Sequence, residues 1–228
     1  HRRHDFMELD AFTRRNLELT SSLRGGKKEG SLLEVLDLCR TPMGKRTIRK
    51  WLEQPLMDID NMNRRLDAVE ELVKVMKIRQ ECRDILNQIY DLERLAGKLG
   101  SGMLNPRDLL ALKLSLGKLP SLKDTLRDCS SSYLREISLL DPLVEVFDIV
   151  EQSINADAPL SVKEGGIIKE GYLQEIDELK RFSSEGKNWL IDYENREKEK
   201  SGIRSLKVGF NRVFGYYLEV PNSNRSLI

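Results

Sequence analysis

The sequence predicts a mainly α protein: a multi-helix domain followed by a long protruding helix that ends in a small, incomplete β element. Three observations predict it. Aromatic residues are only 6% and charged residues 33% of the 228-residue chain, and Leu, Glu, Lys and Arg abound, a mixture that favours helices over a sandwich or barrel. Thr41-Pro42, Asn105-Pro106 and Asp141-Pro142 each set an N-cap residue before a proline at the first helical position, where its missing N–H costs nothing. Beyond Gly202 the apolar spacing drops from three or four residues to two.

Taken in order, residues 6 to 19 alternate loosely through Met7, Leu9 and Ala11, which predicts a strand or extended segment. Gly25-Gly26 and Gly30 punctuate a basic loop. Short helices are expected over about 31–38, 42–54, 106–117, 121–128 and 142–154. Ile59, Met62, Leu66, Val69, Leu72, Val73 and Met76 form one helical stripe, and Ile85, Ile89, Leu92, Leu95, Ala96 and Leu99 a second; each predicts an amphipathic helix with one buried face. The glycines Gly97, Gly100 and Gly102 are read as a loop. Composition shifts after Pro159, and 162–170, with Gly165-Gly166 and Ile167-Ile168, reads as a turn with extended flanks. From Tyr172 the apolar positions Ile176, Leu179, Phe182, Leu190 and Tyr193 share one side of a helix that reaches about residue 200. At 1.5 Å per residue it is ~43 Å long. Its last two turns, from Glu194 to Lys200, are polar, so that end is expected to project into solvent or towards a partner. Gly202 supplies the C-cap, and alternation at Leu206, Val208 and Phe210, then at 217–220, predicts strands.

Several function classes are excluded or weakened at this stage. Histidine occurs only at positions 1 and 4, which removes the usual general base and commonest metal ligand from the body of the chain. Cys39, Cys82 and Cys129 lack the spacing of a disulfide framework or zinc site and are taken as reduced. No apolar run approaches the ~20 residues of a membrane span. Gly25 and Gly30 have phosphate-loop spacing, but Ser31-Leu32 follows in place of Lys-Ser or Lys-Thr. Asn224-Arg225-Ser226 matches a glycosylation sequon without other signs of secretion. The first residue is His and the last, Ile228, ends a strand-like stretch, which predicts a fragment of a longer protein.

With 38 Lys+Arg against 37 Asp+Glu the net charge is +1, so any attraction to polyanions has to be local. One cluster comprises Arg14, Arg15, Arg24, Lys27 and Lys28. A second spans Arg196 to Arg212, where six cations (Arg196, Lys198, Lys200, Arg204, Lys207, Arg212) face two anions, Glu197 and Glu199. Such a segment can hold phosphate oxygens without reading bases, or can simply keep an exposed edge strand soluble.

Longer strings add a resemblance. Leu9-Asp10-Ala11-Phe12-Thr13-Arg14-Arg15-Asn16-Leu17-Glu18-Leu19, Thr41-Pro42-Met43-Gly44, Trp51-Leu52-Glu53-Gln54-Pro55-Leu56, Asp91-Leu92-Glu93-Arg94-Leu95 and Leu206-Lys207-Val208-Gly209-Phe210-Asn211-Arg212-Val213-Phe214-Gly215-Tyr216-Tyr217 closely resemble the MutS family of DNA mismatch-recognition ATPases. The resemblance runs from about residue 6 to 220. It implies that residues 1–155 form a helical core or lever domain, and that 156–228 form a long lever helix with the first half of a clamp domain. In such proteins the clamp closes on duplex DNA through backbone contacts, and two subunits encircle the duplex. Carried onto this sequence, Lys207, Asn211 and Arg212, with Arg204 less central, are the expected DNA backbone-binding residues. Phe210, Val213, Phe214 and Tyr217 are assigned to packing.

The resemblance is also incomplete. The mismatch-stacking Phe-x-Glu motif belongs to an N-terminal domain that is absent, and the triplet Phe6-Met7-Glu8 precedes an ordinary core segment, so no base-stacking role is assigned to it. The connector, the ATPase and the second half of the clamp are absent too. No catalytic residue, metal or cofactor is therefore expected in this chain; ATP and Mg are expected in the missing ATPase domain. The implied partners are double-stranded DNA, a second subunit and a MutL-type matchmaker, in a bacterial cytoplasm near the nucleoid. The rival reading is a helical protein-interaction scaffold that never touches DNA.

Overall fold

Polar N-caps decide where most of the helices begin. The computed structural model describes residues 6–213 and 215–221, which leaves Phe214 and the sequon at Asn224 outside the described residues. Asp10 accepts from the Thr13 N–H at 2.7 Å to start α1 (Ala11–Asn16), and Ser31 caps α2 (Leu32–Leu36). Thr41 caps α3 (Pro42–Glu53) through the Gly44 N–H, and Asp58 caps α4 (Ile59–Lys74) through that of Asn61. Helix α5 (Met76–Leu86) follows a break at Val75, and Asp91 caps α6 (Leu92–Gly100). Asn105 and Asp108 form a reciprocal capping box on α7 (Pro106–Leu116). Helices α8 (Leu119–Leu126), α9 (Ser132–Ser138) and α10 (Val144–Ser153) precede a single 3-10 turn at Val162–Glu164. The 28-residue helix α11 (Gln174–Ser201) then leads to the antiparallel strands β1 (Lys207–Asn211) and β2 (Gly215–Glu219). The expected mainly α architecture, a long helix followed by a small sheet, is what the chain adopts.

The chain divides into two compact units between Lys169 and Glu170. The first has two apolar clusters. Ala68, Leu126, Cys129 and Leu134 bring together α4, α8 and α9, with Ile78 and Cys82 of α5 packed against them. Val150, Ile154 and Ala158 join Leu109 and Leu110 of α7 to Ile167 and Ile168, because the segment after α10 folds back on it. That return is tied by the Asn155 side chain, which donates to the carbonyls of Gly166 and Ile168, and by Lys113 and Lys169, which both pair with Glu151. Arg46 of α3 grips the Asp91 carboxylate with two nitrogens, at 2.7 and 2.8 Å, and also pairs with Glu93. One carboxylate thereby caps α6 and holds α3. All three cysteines are free thiols, Cys129 buried and the others half-buried.

Several expectations are corrected. Residues 6–19 are not a strand: Phe6 makes one isolated bridge to Leu56, and Asp10 turns the chain into α1, so the short period-two run loses to a local cap. The second apolar stripe is split, since α5 stops at Leu86 and α6 begins at Leu92 after the Asp91 cap. Gly97 and Gly100 lie inside α6, and only Gly102 falls beyond it. The first stripe is buried only in part: of its members Met62 and Leu72 are half-buried, and the others are exposed. Ala68 and Leu72 face the core, where the small Ala68 lets α8 and α9 approach, while Leu66 is 63% and Val69 57% exposed. Asp141-Pro142 does not cap α10. Asp141 instead accepts the Leu143 N–H two residues on, an Asx turn that delays the helix to Val144 and leaves Leu143 at φ 54°. The 132–138 helix carries no expectation from sequence.

Replacing Asp91 tests the α3–α6 link. Arg46 holds the Asp91 carboxyl below its ordinary range, so its stabilisation is complete above pH ~4 and is lost as pH falls through the lower folded-state value. Asp91→Ala should cost about 1 kcal/mol at pH 7 from the lost cap alone. Asp91→Asn should retain the cap and lose only the charged link. The gap in urea midpoint between wild type and Asp91→Asn should therefore narrow as pH falls below the ordinary carboxylate range; a gap independent of pH would refute the assignment.

Candidate nucleic-acid interface

The second unit builds its surface around the end of α11. Gly202 adopts φ 71°, a left-handed conformation that suits glycine, and its N–H closes the helix on the Lys198 carbonyl. The next turn buries Ile203 and Leu206, which are 2% and 4% exposed and fix where β1 begins. Glu194 then reaches from α11 to the backbone of β1: its carboxylate accepts the Val208 N–H at 2.9 Å and pairs with Lys198 at 2.5 Å. The Val208 and Leu218 positions are directly paired across the hairpin. Lys198 first, and the Val208 N–H second, hold the Glu194 carboxyl below its ordinary range. The polar end of α11, expected to project into solvent or towards a partner, is the part that grips the hairpin.

Strand alternation assigns the residues to faces. Lys207, Gly209 and Asn211 share one face of β1 and lie opposite Glu219, Tyr217 and Gly215, whereas Val208 and Phe210 share the other with Leu218 and Tyr216. Phe210 packs on Tyr216 with ring centroids 5.0 Å apart. Phe210 remains 61% exposed, and Val213, expected to pack, stands 81% exposed at the turn. Asn211 has a local task, accepting the Val213 N–H at 2.8 Å through its side-chain oxygen and so closing the turn, which leaves its NH2 group as donor. Arg212 lies in that turn and Arg204 in the turn before β1, both exposed, as is Lys207.

The ion pairs thin out the basic cluster. Lys198 is paired with Glu194 and Lys200 with Glu197, and Arg196 donates to the carbonyl of Asp192. Among the described residues Arg204, Lys207 and Arg212 make no ion pair. The structure thus keeps three of the six cations free, and they include every charged residue singled out from sequence. Glu194 was missed because it looks like one more member of a polar run; its i,i+4 spacing to Lys198 was the available signal. In the other cluster Lys28 is paired with Asp37.

No other constellation competes. Among the described residues no group of three His, Cys, Asp or Glu side chains could hold a metal ion, and no helix is long and apolar enough to cross a membrane. The Gly25–Gly30 loop does not fit a nucleotide triphosphate: Ser31, 2% exposed, donates its hydroxyl to the Lys28 carbonyl and caps α2. A groove of about 780 Å³ lies within the second unit, lined by Phe182, Trp189, Leu190 and Tyr193 of α11 and by Val208, Tyr216, Tyr217 and Leu218. Its lining is aromatic and aliphatic, with Trp189 stacked on Tyr193 at 5.4 Å, and offers little acid–base chemistry.

Glu194→Ala should release β1 without unfolding α11. Amide exchange at Val208 is expected to quicken about tenfold or more. In the wild type the tether should be intact above pH ~4.3 and weaken as pH falls through the depressed Glu194 value. Unchanged Val208 exchange in the variant would show that Ile203 and Leu206 hold the hairpin alone.

Comparison with known proteins places these features. The family model described as MutS domain III matches residues 12–212. A protein of Syntrophomonas wolfei described as DNA mismatch repair protein MutS is 53% identical over 98% of this chain and 26% of its own length. Proteins of the same description from Alkaliphilus metalliredigens and Halothermothrix orenii are 50% and 49% identical, over 99% and 96% of this chain. The chain spans about a quarter of the length of these relatives.

Proposed function

The chain belongs to the MutS domain III family, and on that premise we propose that it serves DNA mismatch repair as a lever and a sequence-independent clamp on the DNA backbone. The observation that carries this reading is the set of unpaired cations at the hairpin, Arg204, Lys207 and Arg212, within nine residues of a protein whose net charge is +1. Lysine and arginine at that density neutralise phosphates and release condensed counterions, which gives affinity without sequence preference. Asn211 adds a neutral donor from the same face as Lys207.

On this reading the work of the chain is mechanical. Helix α11 is uninterrupted over 28 residues, about 42 Å at 1.5 Å per residue, and a stiff element of that length passes on a displacement at its end instead of absorbing it. ATP and Mg belong to a part of the longer protein outside the aligned quarter, as do mismatch recognition, a second subunit and a MutL-type partner. A cytoplasmic, nucleoid-associated location follows from the same reading.

Fluorescence anisotropy with matched and mismatched duplexes across a salt series is the test. Two to four phosphate contacts predict a log–log slope of roughly −2 to −4 with no preference for the mismatch. Lys207→Glu combined with Arg212→Glu should weaken binding and move the slope towards zero by about 2. Unchanged retention of DNA would favour a helical scaffold for protein partners, and a strong mismatch preference would overturn the assignment. In the longer protein, Leu190→Pro should break α11 and uncouple DNA binding from ATP turnover; DNA-stimulated turnover at the wild-type level would remove the lever role.

A further inference from the structure

The polar face of β1 has a gap at its centre. Lys207 and Asn211 lie four residues apart on one face, and the position between them is Gly209, which brings no side chain. Alternate residues on a strand are ~6.7 Å apart, so a row with regular spacing would need a donor at 209. The cross-strand partner of Gly209 is Tyr217, and its ring occupies that place. A Cβ built on Gly209 would lie 2.6 Å from Tyr217 Cζ and 2.8 Å from its hydroxyl oxygen. Those distances are well inside van der Waals contact, so the ring lies flat over the Gly209 backbone only because the residue is glycine.

The hydroxyl therefore sits where a side chain of residue 209 would begin, between the roots of Lys207 and Asn211. Among the described residues it has no hydrogen-bond partner, and Tyr217 is 44% exposed. We propose that Tyr217 is a further DNA backbone-binding residue, its phenolic hydroxyl donating to a phosphate oxygen from the middle of the Lys207–Asn211 row, with Gly209 as the residue that positions it. This inference rests on the clamp reading above. Tyrosine hydroxyls are among the neutral groups that bond phosphate oxygens, and a neutral donor differs from a cation in one measurable way: it adds affinity but displaces no counterion. The packing role assigned to Tyr217 from sequence and this binding role are one arrangement, since contact with Gly209 is what aims the hydroxyl.

The experiment titrates a fully matched duplex into the full chain and into single variants across a salt series, with thermal unfolding as a check on folding. Tyr217→Phe keeps the ring and removes only the hydroxyl. It should weaken binding about fivefold, leaving the log–log salt slope and the melting temperature unchanged, whereas Lys207→Ala should reduce the magnitude of the slope by about 1. Gly209→Ala forces the ring away and should reproduce the Tyr217→Phe loss; placed on top of Tyr217→Phe it should add little, because the two act on one hydroxyl. If Lys207→Ala and Arg212→Ala weaken binding while Tyr217→Phe does not, the hydroxyl has no role and the clamp reading stands. If none of the three changes affinity, both readings fail. A Tyr217→Phe variant with a reduced salt slope would also refute the proposal, because the effect would then run through a displaced cation.

Discussion

A two-stranded hairpin buries too little to be stable alone, so whatever the strands after α11 present depends on how that hairpin is tied to α11. Three contacts do it: the buried pair Ile203 and Leu206, the left-handed turn at Gly202, and the Glu194 carboxylate on the Val208 N–H. The first two fix where β1 starts, and the third satisfies a strand amide that would otherwise be part of an open edge. A carboxylate is well suited to that task. It accepts more than one hydrogen bond, and here the second donor is Lys198, one helical turn along, so the anion is balanced mainly by Lys198, with Lys207 adding a weaker attraction. Strong binding of the backbone by one acid is therefore compatible with leaving Arg204, Lys207 and Arg212 unpaired.

The first unit solves a similar problem with the same chemistry. Helices of five to sixteen residues have little stability of their own, and most begin on an Asp, Ser, Thr or Asn whose side chain meets the amides of the first turn. Some of those caps also join elements. Asp91 starts α6 and holds Arg46 of α3, Asp108 closes the α7 capping box and pairs with Lys98 of α6, and Glu71 of α4 takes the amides of Ser130 and Ser131 ahead of α9. Asp91 and Asp108 use charge at the start of their own helices and Glu71 brings it from the end of α4 to the start of α9, where the dipole favours an anion. The apolar clusters then need to be only modest in size, and many apolar side chains, Leu66 and Val69 among them, stay at the surface.

What the sequence disclosed follows the range of each interaction. Thr41-Pro42 and Asn105-Pro106 are legible because a cap and its amide lie three residues apart, and both helices start where those pairs put them. Asp141-Pro142 carries the same signature and starts no helix, since an Asx turn at two-residue range competes with the cap and nothing local decides between them. Which apolar positions of α4 are buried is settled by α8 and α9, far along the chain, and no periodicity in 59–76 contains that. At the tip, free cations were visible as a charge excess. The Glu194 tether spans fourteen residues and the Tyr217 ring crosses from one strand to the other; both depend on hairpin register, which is fixed only once the strands pair.

The close fit of Tyr217 over Gly209 also constrains how this surface can change over generations. With the aromatic ring in place, a Cβ at 209 would meet it at 2.6 Å, so a side chain there displaces the ring and its hydroxyl. Once the ring at 217 is lost, that barrier disappears and 209 becomes an ordinary strand position able to accept a side chain of its own. The two sites are thus coupled by history: once 217 has changed, 209 can change without further cost, whereas a change at 209 first costs the placement of the ring.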